Sequence, residues 1–525
     1  MACSAVKMRW ESFVSSSGTV GKMVLGAMAI AACNARPRPS VSRAPAIADP
    51  PAIGVATNAA HHDAAPGPIV RGTCARGDGP LHFTLAHFND LQARYEDLPN
   101  GKNRYGYIAG YLRSVKSEQP STLVLDAGDD YEKGSIAELR SFGETTRRMV
   151  QTLPIDARVI GNHDFAYGEA AVMRDAELSA HPVLAANIRD ARGRSPFVPY
   201  VAAKIGCVRV GIVGLVTGHY GSDDQPDGGA FDGVFVQDPD YARVLRELVE
   251  KHRSEVDVMI ALTHLGFYTD LDLGVQVPDV DVIVGGHSED LVPNGQPYAR
   301  RDGRVGWVLQ AGHYGEHVGR ADFAFDPATK SLHLERYTMT DVDEHLPYAD
   351  DVGRTAHALV RTFTPDAERP IAIAQAKVEQ ADMPDLVMRA ARDRWAVDAL
   401  FIGKDGFWSG LPQGPLTLQR LYDSVMVQRE PSGTPGFTSL YVVSMTGAEL
   451  VDLRQHAYPG YATVFAETLA PDRTYRVAID KRALEHPISV VAGGFAFPEH
   501  KRFAGELIDV LDAYARARTA RGLTL

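Results

Sequence analysis

Cysteine is scarce, with four in 525 residues, which excludes a small fold held together by disulfides. No apolar run approaches the roughly 20 residues that a membrane-spanning helix needs, so a polytopic membrane protein is excluded. The basic excess of a duplex-binding protein is missing too. Lys and Arg total 54 against 66 Asp and Glu, a net charge of −12, and no nucleic acid polymer is expected as a partner. No internal repeat is visible. What is present is ordinary for a soluble globular chain: 45% hydrophobic and 23% charged residues, enough to build a core and too many for disorder. At about 150 residues per domain the length accommodates roughly three units, tails included.

Residues 23–32 (MVLGAMAIAA) form a ten-residue apolar run behind Lys22. That is too short to cross a bilayer and suits the h-region of a signal peptide. Ile30-Ala31-Ala32-Cys33 has the form of a bacterial lipobox, in which Cys33 is lipidated after cleavage and tethers the protein without spanning. A plain secretory leader and a chance apolar segment are the alternatives. Residues 1–21 make a long, mixed lead-in, so Met8 and Met23 are alternative starts. Residues 34–80 are rich in Pro, Ala and Gly without a period of 2 or 3.6, and read as a disordered linker. Cys74 and Cys207 also remain after cleavage, and their spacing alone does not decide whether they pair.

From Leu81 onward short apolar runs alternate with helical patterns. Strands are expected at 83–88, 122–126, 158–160, 183–186, 208–213, 256–262, 280–284 and 305–310. They are rich in Val, Ile and Leu and often lack alternation, as strands covered on both faces do. Residues 241–252 carry a helical stripe of Val244, Leu245, Leu248 and Val249. Strands interleaved with helices predict an α/β layered sheet with its active groups at strand ends.

Those strand ends carry the chemistry. Asn89-Asp90-Leu91-Gln92 follows the first strand, Asp126-Ala127-Gly128-Asp129 the second, and Gly161-Asn162-His163-Asp164 the third. Two later strands end in Thr263-His264-Leu265-Gly266 and Gly285-Gly286-His287-Ser288-Glu289. Any one of these reads as a turn-capping Asp or a satisfied core His. Five in this order predict two adjacent divalent ions bridged by one carboxylate, with imidazole and amide ligands completing the shells.

At these residues the sequence resembles the metallophosphoesterase superfamily, specifically the two-domain 5′-nucleotidase and UDP-sugar hydrolase family. That family's pattern is Asp-x-His, Gly-Asp, Gly-Asn-His-Glu, a strand-end His, then Gly-His-x-(Gln, Asn or His). The resemblance runs from about Leu81 to the C-terminus and is supported by Ala186-Asn187-Ile188 and by QAGHYGEHVG at 310–319. It implies an αββα-layered metallophosphoesterase catalytic domain over 81–342, a connector with a helix over 343–370, and a smaller α+β substrate domain of 5′-nucleotidase type over 371–525. It also implies that Asp129 bridges the ions, that Asp90, Gln92 and Glu289 complete one site and Asn162, His264 and His287 the other, and that His163 stabilises the phosphoryl transition state. The expected activity is hydrolysis of a small phosphorylated substrate by activated water, without a phosphoenzyme. The expected setting is extracytoplasmic, in the periplasm or at the cell surface, with the membrane met only through the lipid anchor.

Departures from the pattern matter for substrate. Gln92 stands where the family has a His, and Glu289 where it has a neutral ligand. Harder oxygen ligands favour Mn, Mg or Ca over Zn without naming the ion. Ala166 occupies the position of the Asp that partners the catalytic His, leaving neighbouring Asp164 as a substitute poorly placed to reach the ring. In the second domain the family's substrate Arg is replaced by Trp408 within GKDGFW at 403–408, its Phe-Gly-Asn by a longer stretch at 427–436, and a base-stacking aromatic by Ser489. Phe407, Trp408, Phe495 and Phe497 either line a new apolar pocket or simply pack the domain. Three readings follow: a 5′-nucleotidase-like hydrolase, a hydrolase of another phosphoester or a sulfur anion on the same scaffold, and an impaired metal-binding surface protein.

Overall fold

The computed structural model describes residues 67–74, 79–95, 97–132, 135–190, 192–218, 235–425, 438–466, 468–485, 490–491, 495–498 and 500–525. Two large sheets form the core of the N-terminal lobe. A seven-stranded sheet runs Ile69–Arg71, Tyr200–Ile205, Val208–Val216, Val258–His264, Val282–Val284, Val305–Leu309, Gln296–Ala299. A six-stranded sheet runs Ser331–Asp341, His317–Asp326, Leu81–Phe88, Thr122–Asp126, Ala157–Val159, Val183–Leu184.

Side-chain alternation explains why these strands look uniformly apolar. Phe83, Leu85, Leu123 and Leu125 of one sheet meet Val258, Ile260, Leu262, Val282 and Val284 of the other in a shared core. The intervening Ala86, Phe88 and Val124 turn outward onto the helices Arg104–Glu118 and Asp350–Phe363. Met259, Ala261 and Ile283 likewise turn onto the helix Tyr241–His252. Both faces of each central strand are therefore buried, and the layers stack helix, sheet, sheet, helix. The helix Tyr241–His252 forms as expected. Asp240 caps its N-terminus by accepting from Arg243 N at 3.0 Å, and Val244, Leu245 and Val249 are buried.

Order begins earlier than the expected linker boundary at residue 80. Ile69–Arg71 pairs in parallel with Ala203–Ile205 at the sheet edge, and Cys74 is bonded to Cys207 in the turn after that partner strand. Strand pairing and a covalent staple thus fix a segment whose composition is that of a flexible chain. Closing a loop of 133 residues, the bridge contributes on the order of 2–5 kcal/mol. Cys33 and the apolar run before it lie outside the described residues.

The C-terminal lobe holds a five-stranded sheet in the order Tyr461–Phe465, Ala399–Gly403, Thr474–Asp480, Ser439–Thr446, Arg502–Glu506. Its Leu400 and Ile402 pack on the helices Met383–Trp395 and Leu507–Ala520. The described residues belong to one compact unit, and the lobes touch directly: Ile136 of the first joins the core of the second.

Candidate metal centre

Parallel pairing brings the carboxyl ends of the central strands to one edge. Asp90 and Gln92 follow Leu81–Phe88, Asp129 follows Thr122–Asp126, and Asn162 and His163 follow Ala157–Val159. His264 ends Val258–His264, while His287 and Glu289 follow Val282–Val284. The structure brings all eight together. Asp90, Gln92, Asp129, Asn162, His163 and His264 are buried, and His287 and Glu289 stand half-buried at the mouth.

The contacts set donor atoms toward a common centre. His264 Nδ1 lies 2.7 Å from the Ala127 carbonyl, a contact that fixes this nitrogen as the donor and turns Nε2 to Asp129 Oδ2 at 3.0 Å. Asn162 Oδ1 lies 2.8 Å from His287 Nδ1 and 3.2 Å from His264 Nε2. One donor atom each from Asp129, His264 and His287 falls within 4.8 Å of the others. On the other side Gln92 Nε2 donates to Glu289 Oε1 at 2.9 Å, and Asn89 Nδ2 donates to Asp90 Oδ2 at 2.7 Å. Asp90 Oδ1 and Gln92 Oε1 remain as buried acceptors without a hydrogen-bond partner. Buried oxygens so arranged, beside carboxylates and imidazoles, fit divalent cations.

Electrostatics point the same way. Burial pushes the Asp90 carboxyl up to about 8, with the charges of Asp129 and Glu289 adding to the effect against His264. Burial disfavours the His264 cation, yet Asp129 outweighs it and pushes the imidazole up to about 10. Burial would also raise Asp129, but His264, His163 and His287 hold it well below the usual carboxylate range. The protein alone therefore meets its clustered carboxylates by recruiting a proton, a place a metal charge fills better.

The backbone here is unusual. Asp90 (φ 53°), Gln92 (47°), Asp129 (58°), His287 (81°) and Glu289 (60°) all adopt left-handed conformations. Such strain concentrates at functional sites, where the surroundings over-determine the geometry.

His163 has a partner that the sequence pattern does not anticipate. Its Nδ1 lies 2.5 Å from Glu132 Oε2, and its Nε2 lies 4.0 Å from Asp129 Oδ2. Asp164 is occupied elsewhere, accepting from Asp130 N at 3.0 Å and Gly161 N at 2.8 Å. The signal for Glu132 is its place in Asp129-Asp130-Tyr131-Glu132, an acidic residue in the same strand-end loop as Asp129.

Residues 83–288 match the calcineurin-like phosphoesterase family. That segment resembles a calcineurin-like phosphoesterase domain. The snake venom 5′-nucleotidase of Gloydius brevicauda is 30% identical to it over 277 residues, 47% of this chain and 46% of that protein. The chain spans about half the length of the curated 5′-nucleotidases it matches. Among solved structures, the 5′-nucleotidase precursor of Thermus thermophilus superposes with a TM-score of 0.65 at 20% identity, over 83% of this chain and 96% of that one. The sulfate thiohydrolase SoxB of Thermus thermophilus superposes with a TM-score of 0.59 at 20% identity, over 87% and 95%. These two likenesses establish a shared fold. The phosphoesterase family implies divalent ions, in accord with the donor set above.

Beside the phosphoesterase domain, the aromatics of the C-terminal lobe do not form a single pocket. Phe495 and Phe497 pack on Phe401 and the sheet, and Phe407 is buried in a separate core cluster. Trp408 instead meets Tyr314 edge-on at 5.9 Å, and the Arg94 guanidinium lies 5.8 Å from the Trp408 ring and 4.9 Å from that of Tyr314. A cation thus stands beside Trp408, supplied from two residues beyond Gln92. Ser489 and residues 427–436 lie outside the described residues.

Proposed function

We propose that this chain is a two-metal hydrolase of small phosphate esters, of 5′-nucleotidase type, acting outside the cytoplasm. The observation that carries the reading is the convergence of eight strand-end residues on buried, unpartnered oxygens of Asp90 and Gln92. Asp90, Gln92 and Glu289 would hold one ion, Asn162, His264 and His287 the other, and Asp129 would bridge them. Bound there, divalent ions supply charge that polarises the phosphoryl group and acidifies an attacking water. His163, held at Nδ1, turns Nε2 toward the Asp129 side, where it can donate to a phosphoryl oxygen as charge develops. The division into a catalytic domain over 81–342 and a substrate domain over 371–525 is part of the proposal. Purified protein should hold close to two divalent ions per chain by elemental analysis and hydrolyse members of a panel of nucleoside monophosphates, nucleotide sugars and aryl phosphates. Metal-loaded protein inert toward the whole panel would sink the reading.

A second reading, a different phosphoester or a sulfur anion on the same scaffold, is favoured by Trp408 and Glu289. The carboxylates of Asp90, Asp129 and Glu289 offset three of the four charges that two divalent ions bring, leaving little to attract a phosphate dianion. Less charged esters should therefore be turned over faster than AMP in that panel. The reading as an impaired binding protein rests on Ala166, and the Glu132 carboxylate at His163 Nδ1 speaks against it.

The Cys74–Cys207 bridge supports an oxidising compartment. We place the mature N-terminus at lipidated Cys33, as a periplasmic or surface lipoprotein. Mass spectrometry of membrane fractions should find acyl chains on Cys33, and a soluble form with an unmodified Cys33 would refute the anchor. Among the described residues, no helix is long and apolar enough to cross a membrane.

A further inference from the structure

We infer that Glu132 is the positioning residue of His163, standing in for the carboxylate that Ala166 cannot supply. The inference rests on the hydrolase reading above, in which His163 works on the phosphoryl group. Glu132 Oε2 lies 2.5 Å from His163 Nδ1, with both side chains buried at 2% and 7% exposure. A carboxylate at that distance keeps Nδ1 protonated, fixes the ring plane and stabilises the imidazolium that donates from Nε2.

The loop is built to hold the carboxylate there. Glu132 adopts φ 69°, a left-handed conformation that a glutamate does not choose freely. Its backbone N–H is donated to Glu138 Oε1 at 2.7 Å. Glu138 sits in the first turn of the helix Ile136–Ser141, is 1% exposed, and also accepts from Tyr167 Oη at 2.8 Å and from Thr146. Tyr167 directly follows Ala166, so one buried carboxylate ties the loop bearing Glu132 to the turn bearing His163. Asp164, the other candidate, spends both oxygens on backbone N–H groups. The carboxylate has in effect moved from the turn of His163 to the loop of Asp129.

The test uses the full-length, metal-loaded protein with p-nitrophenyl phosphate as the probe. Glu132→Ala should lower kcat by about 10–100-fold with KM within about twofold and metal content unchanged. Glu132→Gln, which keeps shape but not charge, should fall between it and wild type. Ala166→Asp on the Glu132→Ala background should restore kcat at least about fivefold, a rescue that general damage to the loop would not show. A Glu132→Ala kcat within twofold of wild type overturns the assignment, as does a loss that Ala166→Asp leaves untouched. Imidazole ¹⁵N spectra of wild-type protein loaded with diamagnetic Mg or Zn, with the His163 signal assigned by His163→Asn, give a readout free of turnover and of variant folding. Nδ1 of His163 should be protonated, and a bare Nδ1 overturns the proposal whatever the kinetics. A protein that hydrolyses no ester yet shows the protonated Nδ1 would sink the hydrolase reading and leave the pairing standing.

Discussion

Asp129→Ala should strip both metal ions and lower phosphoester turnover by at least about a thousandfold. Asp129 faces both halves of the centre. Its Oδ2 lies 3.0 Å from His264 Nε2, and its Oδ1 accepts the His163 backbone N–H at 2.8 Å. Its charge is also felt by the Asp90 carboxyl on the other side. In the proposed arrangement its loss would remove a ligand from each ion, release the turn that carries His163, and leave His264 without its anionic neighbour. Single oxyanion-stabilising groups cost about 10²–10³-fold when removed, and a bridging ligand governs two such groups at once. Elemental analysis and p-nitrophenyl phosphate turnover read the result together. A variant that keeps two ions would show that Asp129 does not bridge them.

Arg158→Met should destabilise the fold by about 3–5 kcal/mol, the cost of stranding buried carboxylates. Arg158 is 1% exposed, donates from Nη1 to Asp130 Oδ2 at 2.9 Å, and pairs through Nη2 with Asp175 of the helix Glu169–Leu178. Its charge also opposes burial at Asp126 and Asp164. Burial wins at Asp126, whose carboxyl is pushed up to about 7. A carboxyl raised on folding binds more protons in the folded state, so stability falls as pH climbs from about 4 through 7. Without Arg158 the carboxylates rise further, so the variant's deficit should be largest near pH 8 and smallest near pH 5. Thermal unfolding at the two pH values checks the sign, with Tm lowered by about 3–5 °C at the higher one. An equal or larger deficit at pH 5 would contradict it.

The layered sheets and the gathering of the strand-end residues are legible in the sequence because apolar strand runs and the polar clusters that follow them coincide. Double burial leaves 123–125 and 258–262 wholly apolar, and polar chemistry collects where those strands end. Features that depend on contact between distant residues are not legible. The edge strand Ile69–Arg71 has no pattern of its own and is ordered by Tyr200–Ile205 and a bridge to Cys207. The strand Ser331–Asp341, with several polar or exposed positions, is ordered by pairing with His317–Asp326. Glu132 escapes because a pattern built on the turn after His163 looks for its partner in that turn. The company of Trp408, drawn from Arg94 and Tyr314, spans more than 300 residues of chain.

The left-handed backbone at five of the proposed ligands carries a consequence for the life of the protein in its host. At about 1–2 kcal/mol each, these conformations cost on the order of 5 kcal/mol or more, comparable with the entire margin of an ordinary domain. Bound ions offset that cost in proportion to the logarithm of their free concentration. Chains in metal-poor surroundings would therefore spend more time with the strand-end loops open, where proteases cut. Abundance would then track metal supply without any dedicated regulator, through the half-life of the folded chain.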